Sequence, residues 1–339
     1  MNERYSRQIL FSPIGSAGQE RLANSSVLLV GVGALGCAQG EMLARAGVGK
    51  IRLVDRDFVE YTNLQRQTLF TEDDAKERLP KAVAAKRRLS QVNSEIEIEE
   101  VIADVTNSNI ERLVAGCDLV LDGTDNFQIR YLVNDACVKA GTPWIYGAAV
   151  SSYGMTMNII PGETPCLRCI FPELPDPGSA PTCDTAGVIA PVVSRVAATQ
   201  VAEAFKLLVG DRDSLSRKLR QFDVWTNEEK AIGTGSPDPN CVTCGKRNFE
   251  FLDAGSSEFA AVLCGRDAVQ IAPNANSRLD LDQLADRLKF NFPVNQNEYL
   301  LRFSPDVFEV TVFSDGRAIV KGTDDATVAR TLYAKYIGV

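Results

Sequence analysis

The sequence contains no histidine in 339 residues. That absence excludes Ser-His-Asp triads, Cys-His dyads and every histidine-ligated metal site. A transition-metal site must then use Cys, Asp or Glu, and proton transfer falls to carboxylates, Lys, Tyr, water or the substrate. Long apolar runs are missing too. Stretches such as Val27–Val30 are far too short to span a bilayer. The segment Met1–Gln8 is polar and has no apolar signal-peptide core. A cytoplasmic protein with no membrane partner is therefore expected. Positive charge is in deficit, giving a net charge of -8. That balance disfavours nucleic acid as the main partner, because phosphate backbones recruit Lys and Arg. The nine cysteines are too sparse for a disulfide scaffold, and their odd number leaves at least one unpaired.

What is present reads as an α/β protein long enough to bury a full core. Ser26–Val30 is a compact apolar run and so a buried strand, followed by Gly31–Gly36 and a helical stretch over Cys37–Ala46. Further strands are expected at Lys50–Val54, Ile96–Ala103, Asp118–Leu121, from Pro143 to Tyr146, and at Leu219–Val224. Helices are expected at Leu79–Gln91, Ile129–Ala140 and Val192–Val209. The alternation predicts a Rossmann-like, doubly wound, mostly parallel sheet. Pro161–Cys183 and Gly233–Gly245 are irregular, rich in Pro, Gly and Cys, and the second marks the edge of the main domain. The expected division is residues 1–248 and a small α+β appendage over 249–339. In the appendage Ala261–Ile271 looks extended and Leu281–Leu288 helical. Tyr299–Phe303 and Phe308–Phe313 can pair with Ala318–Lys321 across the turn at Ser314–Gly316, before a final helix over Thr327–Tyr336.

Six motifs carry chemistry. Gly31-Val-Gly33-Ala-Leu-Gly36 follows a strand and opens a helix, a context that favours a phosphate-binding loop, although it does not separate NAD from ATP. Asp55, nineteen residues beyond Gly36, suits ribose hydroxyls. Asn63-Leu-Gln-Arg66-Gln67 places a forked, permanently charged donor where a triphosphate would need one, and it reads equally well as a solvated loop. Lys81 is a candidate to neutralise a phosphate, whereas Lys86, Arg87 and Arg88 read as a solvated face. Asp122-Gly-Thr-Asp125-Asn126 ends a strand, and Asp125 is a natural magnesium ligand beside a triphosphate. An Asx turn or helix N-cap would satisfy the same residues. Cys166-Leu-Arg-Cys169 and Cys241-Val-Thr-Cys244, with 71 residues between them, can close a tetrahedral thiolate site on zinc, with paired redox dithiols as the competing reading. Cys183, in an irregular loop, is a candidate nucleophile. Incidental burial is the alternative, and it is the reading for Cys37, Cys117, Cys137 and Cys264.

Together and in this order, with Arg4-Tyr-Ser-Arg7-Gln8, Pro80-Lys81 and Arg130, these motifs resemble the MoeB/ThiF/HesA family of ubiquitin-activating-like enzymes over roughly residues 1–248. The resemblance implies ATP-dependent adenylation of the C-terminal Gly-Gly carboxylate of a ubiquitin-like sulfur-carrier protein such as ThiS or MoaD, with release of pyrophosphate. It implies that Gly33 and Asp55 hold the nucleotide, and that Asn63, Arg66 and Lys81 contact the phosphates. It also implies that Asp125 binds magnesium with Asn126 beside it, and that Arg7 reaches into the partner site of a homodimer. Cys183 matches the cysteine that links covalently to the carrier in ThiF-like members, where a cysteine desulfurase or rhodanese is a possible sulfur donor. The appendage is unlike a rhodanese domain and is similar to the extension of ThiF-type proteins, which tilts the pathway towards thiamine thiazole over molybdopterin. It is compatible with carrier binding or with capping the dimer. Two rivals stand against this reading: an NAD(P)- or FAD-dependent oxidoreductase and a catalytically silent scaffold of the same fold.

Overall fold

The computed structural model describes residues 3–175, 183–253, 260–263, 267–271 and 279–338. Residues Met1–Ala254 and Gly255–Val339 form two compact units. The first is built on an eight-stranded sheet ordered β3-β2-β1-β4-β5-β6-β7-β8. Its strands are β1 (Ser26–Val30), β2 (Lys50–Asp55), β3 (Glu97–Ile102), β4 (Leu119–Asp122), β5 (Trp144–Val150), β6 (Tyr153–Ile159), β7 (Lys218–Asp223) and β8 (Glu228–Gly233). The first five run parallel, with Val27 of β1 facing both Ile51 and Leu119. The last three pair antiparallel.

Val27–Val30 are all buried because helices cover both faces of the sheet. On one side Leu28 and Val30 pack with Tyr131 and Ala136 of the Phe127–Ala140 helix. On the other the Ala34–Ala46 helix approaches so closely that a side chain at Gly40 would meet Leu29 and Leu89. That helix also packs with the Ala190–Val209 helix around Leu35, Val193 and Val196. The doubly wound α/β architecture predicted from the sequence is therefore present.

The differences from expectation are local and have causes. The helix after the glycine loop starts at Ala34, not Cys37, so Gly36 lies in its first turn. Strand β6 was missed because Thr156 and Asn158 interrupt its apolar pattern. Both are buried, Thr156 Oγ1 donating to the Tyr146 carbonyl at 2.8 Å and Asn158 Nδ2 to the Ser216 carbonyl at 3.1 Å, while Asn158 Oδ1 has no hydrogen-bond partner among the described residues. Strand β8 was missed because it is exposed along its whole length and carries no alternation.

The second unit is a six-stranded sheet ordered β11-β12-β13-β14-β10-β9. Its strands are β9 (Ala260–Leu263), β10 (Ala268–Ile271), β11 (Val294–Gln296), β12 (Leu300–Phe303), β13 (Glu309–Phe313) and β14 (Ala318–Lys321), all pairing antiparallel. The helices Leu281–Leu288 and Ala326–Tyr336 pack on the face that carries Val269, Ile271, Leu301, Phe303, Val310 and Val312. The β13–β14 hairpin turns at Ser314–Gly316 as read from the sequence. The single extended run expected at 261–271 is two paired strands, and β11 was not anticipated. Cys264 lies outside the described residues. None of the described helices is long and apolar enough to cross a membrane.

Two fully buried glutamines tie the helices to the strand ends. Gln39 Nε2 donates to the Asp122 carbonyl at 2.9 Å and to Gln200 Oε1 at 2.6 Å. Gln200 Nε2 donates to the carbonyls of Asp122 and Ile145, both at 3.0 Å. Replacing Gln200 by leucine strips these carbonyls of a donor in a dry interior. The expected loss is about 1–3 kcal/mol, read as a lower urea midpoint at unchanged m-value.

Candidate active site

Strand order reverses between β1 and β4, and the candidate residues gather at the C-terminal ends of these strands, where open α/β sheets form their ligand crevice. The glycine loop leaves β1 with Gly31 at φ +89°. A Cβ there would lie 2.7 Å from the Gly123 carbonyl, and one on Gly123 would lie 2.5 Å from the Gly31 carbonyl. The two loops thus press backbone against backbone, and only glycine fits at either position. Gly36 has the same role inside the first helical turn, where a side chain would collide with the Gly31 carbonyl. Gly33 is the helix N-cap, and a Cβ there would meet nothing closer than 3.9 Å. It faces open space beside the unpaired N–H groups of the helix start, the arrangement that attracts an anion.

Asp55, at the end of β2, accepts from Val32 N in the glycine loop at 2.7 Å and from Asp57 N at 2.7 Å. Burial raises its pKa, and the nearby Lys81 opposes that rise. Lys81, only 5% exposed, heads the Lys81–Val92 helix. Its Nζ is 3.2 Å from Asp57 Oδ2, and its backbone N donates to the Asp57 carbonyl at 2.9 Å. Asp57 was not singled out from the sequence, although it stands two residues beyond Asp55. Only the fold shows that it anchors the lysine. Asn63 is buried and folds back to accept from Glu60 N at 3.0 Å, closing the turn that carries the Arg66 loop. Arg66 is half-buried, with Nη1 on the Thr62 carbonyl at 2.9 Å. Gln67 is buried and extends its amide towards Gly33, and its Oε1 has no hydrogen-bond partner among the described residues.

At the facing strand end, Asp122 and Arg130 form a buried pair at 2.9 Å. Arg130 also donates to the carbonyls of Thr124 at 2.7 Å and Gly147 at 3.1 Å, while Asp122 Oδ1 accepts from Thr124 N and Oγ1. This network shapes the turn that leaves Asp125 exposed. Asp125 acts electrostatically on Arg56 and Arg130, helping to hold both guanidiniums charged. The side chain of Asn126 caps the Phe127–Ala140 helix, accepting from Gln128 N at 2.8 Å and Ile129 N at 3.3 Å.

Cys183 is half-buried at the head of the short Cys183–Ala186 helix, its Sγ 3.4 Å from the Ala149 carbonyl near the C-terminal end of β5. Arg7 is not brought to this site within the chain. It is exposed on the Ser6–Ile9 helix, and its neighbour Gln8 donates to the Ala46 carbonyl at 3.0 Å. Ala46 ends the helix that Gly33 begins, about 18 Å away along its axis. Cys37, Cys117 and Cys137 are buried. Burial pushes the Cys37 thiol up to about 12 and raises Cys137 as well, so neither is a ready thiolate.

The two C-x2-C pairs converge. Sulfur separations are 3.9 Å for Cys166–Cys169, 3.5 Å for Cys166–Cys241 and 3.4 Å for Cys169–Cys244, and all four sulfurs lie within 4.8 Å of one another. A tetrahedral zinc–thiolate centre has sulfur–sulfur edges of about 3.8 Å. The four sulfurs therefore fit zinc, and a closed set of four leaves no position for a substrate.

The ThiF family model matches residues 5–243. The chain is 46% identical over 340 aligned residues, covering 100% of both chains, to the sulfur carrier protein ThiS adenylyltransferase of Bacillus subtilis. It is 38% identical over 248 residues to the sulfur carrier protein adenylyltransferase of Thermus thermophilus, covering 72% of this chain and 90% of that one. Among solved structures, E. coli MccB with ATP superposes with a TM-score of 0.62 at 29% identity, covering 72% and 75% of the two chains.

The Asp122–Arg130 pair is the part of this site most exposed to mutation. Arg130→Met leaves Asp122 as a buried charge without its counter-ion. The expected cost is about 3–5 kcal/mol, measured by urea denaturation.

Proposed function

Because the chain belongs to the ThiF family, we propose that it adenylates the C-terminal carboxylate of a ubiquitin-like sulfur-carrier protein, consuming ATP and releasing pyrophosphate. The observation that carries this reading is the convergence, at one switch point, of an open glycine loop, a buried anchored lysine and an exposed carboxylate on the facing loop. A dinucleotide oxidoreductase needs only the first of these. The full-length relative from Bacillus subtilis is named for ThiS, which favours a ThiS-like carrier and thiamine thiazole synthesis over molybdopterin.

In this reading the helix start at Gly33 receives the phosphates, Asp55 receives the ribose, and Lys81 with Arg66 and Asn63 neutralises and orients the triphosphate. Gln67 and Asn126 line the same site. Magnesium, held by Asp125, would offset the charge of the phosphates. The carrier carboxylate is already anionic and attacks the α-phosphorus directly, so the step demands alignment and charge neutralisation and no histidine base. Arg7 lies too far from its own glycine loop to take part there, which supports its action in the partner site of a homodimer. The adenylation machinery is assigned to residues 1–248, with an accessory role for 249–339. Zinc on Cys166, Cys169, Cys241 and Cys244 is structural.

ATP–pyrophosphate exchange with magnesium and a carrier ending in Gly-Gly tests the assignment. Carrier-dependent exchange is expected. Arg66→Ala and Asp125→Ala should each abolish it without changing the circular dichroism spectrum, and wild-type rates in both would end the assignment. Dinucleotide binding in place of exchange would support the oxidoreductase, and neither activity would support a silent scaffold.

Cys183 is proposed to take the carrier covalently after adenylation. Its thiolate would attack the acyl-adenylate carbonyl, forming a thioester and expelling AMP. Cys183→Ala should leave pyrophosphate exchange intact and eliminate a carrier adduct on gels that hydroxylamine or excess thiol cleaves. A thiocarboxylated carrier formed at the wild-type rate by that variant would rule the role out.

A further inference from the structure

The four sulfurs come from knuckles far apart in sequence, and the Phe127–Ala140 helix touches both knuckles through consecutive residues. Asn134 Oδ1 accepts from Leu167 N, inside the first knuckle, at 2.9 Å. Asp135 Oδ1 accepts from Thr243 Oγ1, inside the second knuckle, at 3.0 Å, and Asp135 Oδ2 accepts from Phe251 N at 3.0 Å. Asn134, Asp135 and Thr243 are all at 0% exposure. Among the described residues no cation forms an ion pair with Asp135. Burial raises its pKa, and the charge of Arg168, in the first knuckle, tempers the rise only in part. A carboxylate carried to this depth without a counter-ion is expensive. Here both of its oxygens are spent on the second knuckle and the segment that follows it.

We propose that Asp135, with Asn134, is a positioning residue for the four-thiolate centre: the helix that begins beside Asp125 holds the two knuckles in the register that brings the four sulfurs together. This rests on the reading of Cys166, Cys169, Cys241 and Cys244 as a zinc site. Outer-shell partners of this kind fix the orientation of metal ligands, and their loss typically weakens metal binding about 10–100-fold. Thr243→Val keeps the shape of the side chain and removes its donor. Asp135→Asn keeps the size and turns an amide N–H towards a partner that itself donates.

The test uses the full-length protein and a chromophoric chelator competing for zinc at equilibrium. Wild-type protein is expected to hold one zinc per chain. Thr243→Val and Asp135→Asn are each expected to lower zinc affinity about 10–100-fold, with Thr243→Val keeping the wild-type circular dichroism spectrum. Leu53→Ala serves as a control for general destabilisation, because Leu53 is buried in β2 and is not a member of the core that includes the cysteines. It should retain wild-type zinc affinity. Unchanged affinity in both Thr243→Val and Asp135→Asn overturns the proposal, as does an equal loss in Leu53→Ala. A wild-type protein that holds no zinc overturns the metal reading itself and this inference with it, an outcome distinct from a zinc-loaded protein whose variants bind normally.

Discussion

The end of β4 is the point on which the site depends. Asp122 is 2% exposed, and its acceptors are fully engaged. The carbonyl takes Gln39 and Gln200, one carboxylate oxygen takes Thr124, and the other takes Arg130 and the Gly147 N–H. A buried ion pair by itself adds little net stability, because desolvation offsets attraction. A fully satisfied network does something else: it fixes one geometry. The next residue, Gly123, abuts the glycine loop, and the Phe127–Ala140 helix starts four residues further on. Position and orientation across the crevice are therefore set by groups that need touch no ligand.

The lack of histidine is consistent with this design. A reaction whose nucleophile arrives as a carboxylate requires no proton abstraction before attack. In the proposed reading it requires that three kinds of group be held still: free N–H donors, fixed cations and a carboxylate that would hold a metal ion. Each is over-determined here. Asp55 ties the loop N–H of Val32 to β2, Asp57 anchors Lys81, and the Arg130 network shapes the turn that presents Asp125. The carboxylates Asp55 and Asp57 also keep positive charge from going unbalanced beside the glycine loop, where a triphosphate would bring its own negative charge.

One helix serves both halves of the first unit. Its N-cap is Asn126, its first turn carries Arg130, and its middle reaches the thiolate knuckles through Asn134 and Asp135. From Phe127, its first residue, to Asp135 the rise along the helix is about 12 Å. The same helix therefore connects the strand end that carries Asp122 to the segments that bring the four cysteines together.

Much of this was legible in the sequence. The apolar runs at Ser26–Val30 and Asp118–Leu121, the glycine spacing and the paired cysteines identified the sheet, the loop and the thiolate centre, because each signal is local and each residue type has few alternative uses. Strand β6 was hidden because its buried polar residues find partners only in distant segments, Tyr146 for Thr156 and Glu203 and Ser216 for Asn158, and β8 because an exposed edge needs no apolar pattern. The roles of Asp57, Gln39, Gln200 and Asp135 were likewise invisible. Each looks like an ordinary polar residue until the fold supplies a partner between 24 and 161 positions away. The sequence by itself determined which chemistry was available, through residue types and short spacings. Only the tertiary structure decided which side chains hold that chemistry in place, since burial and long-range hydrogen bonding do not exist until distant segments are packed together.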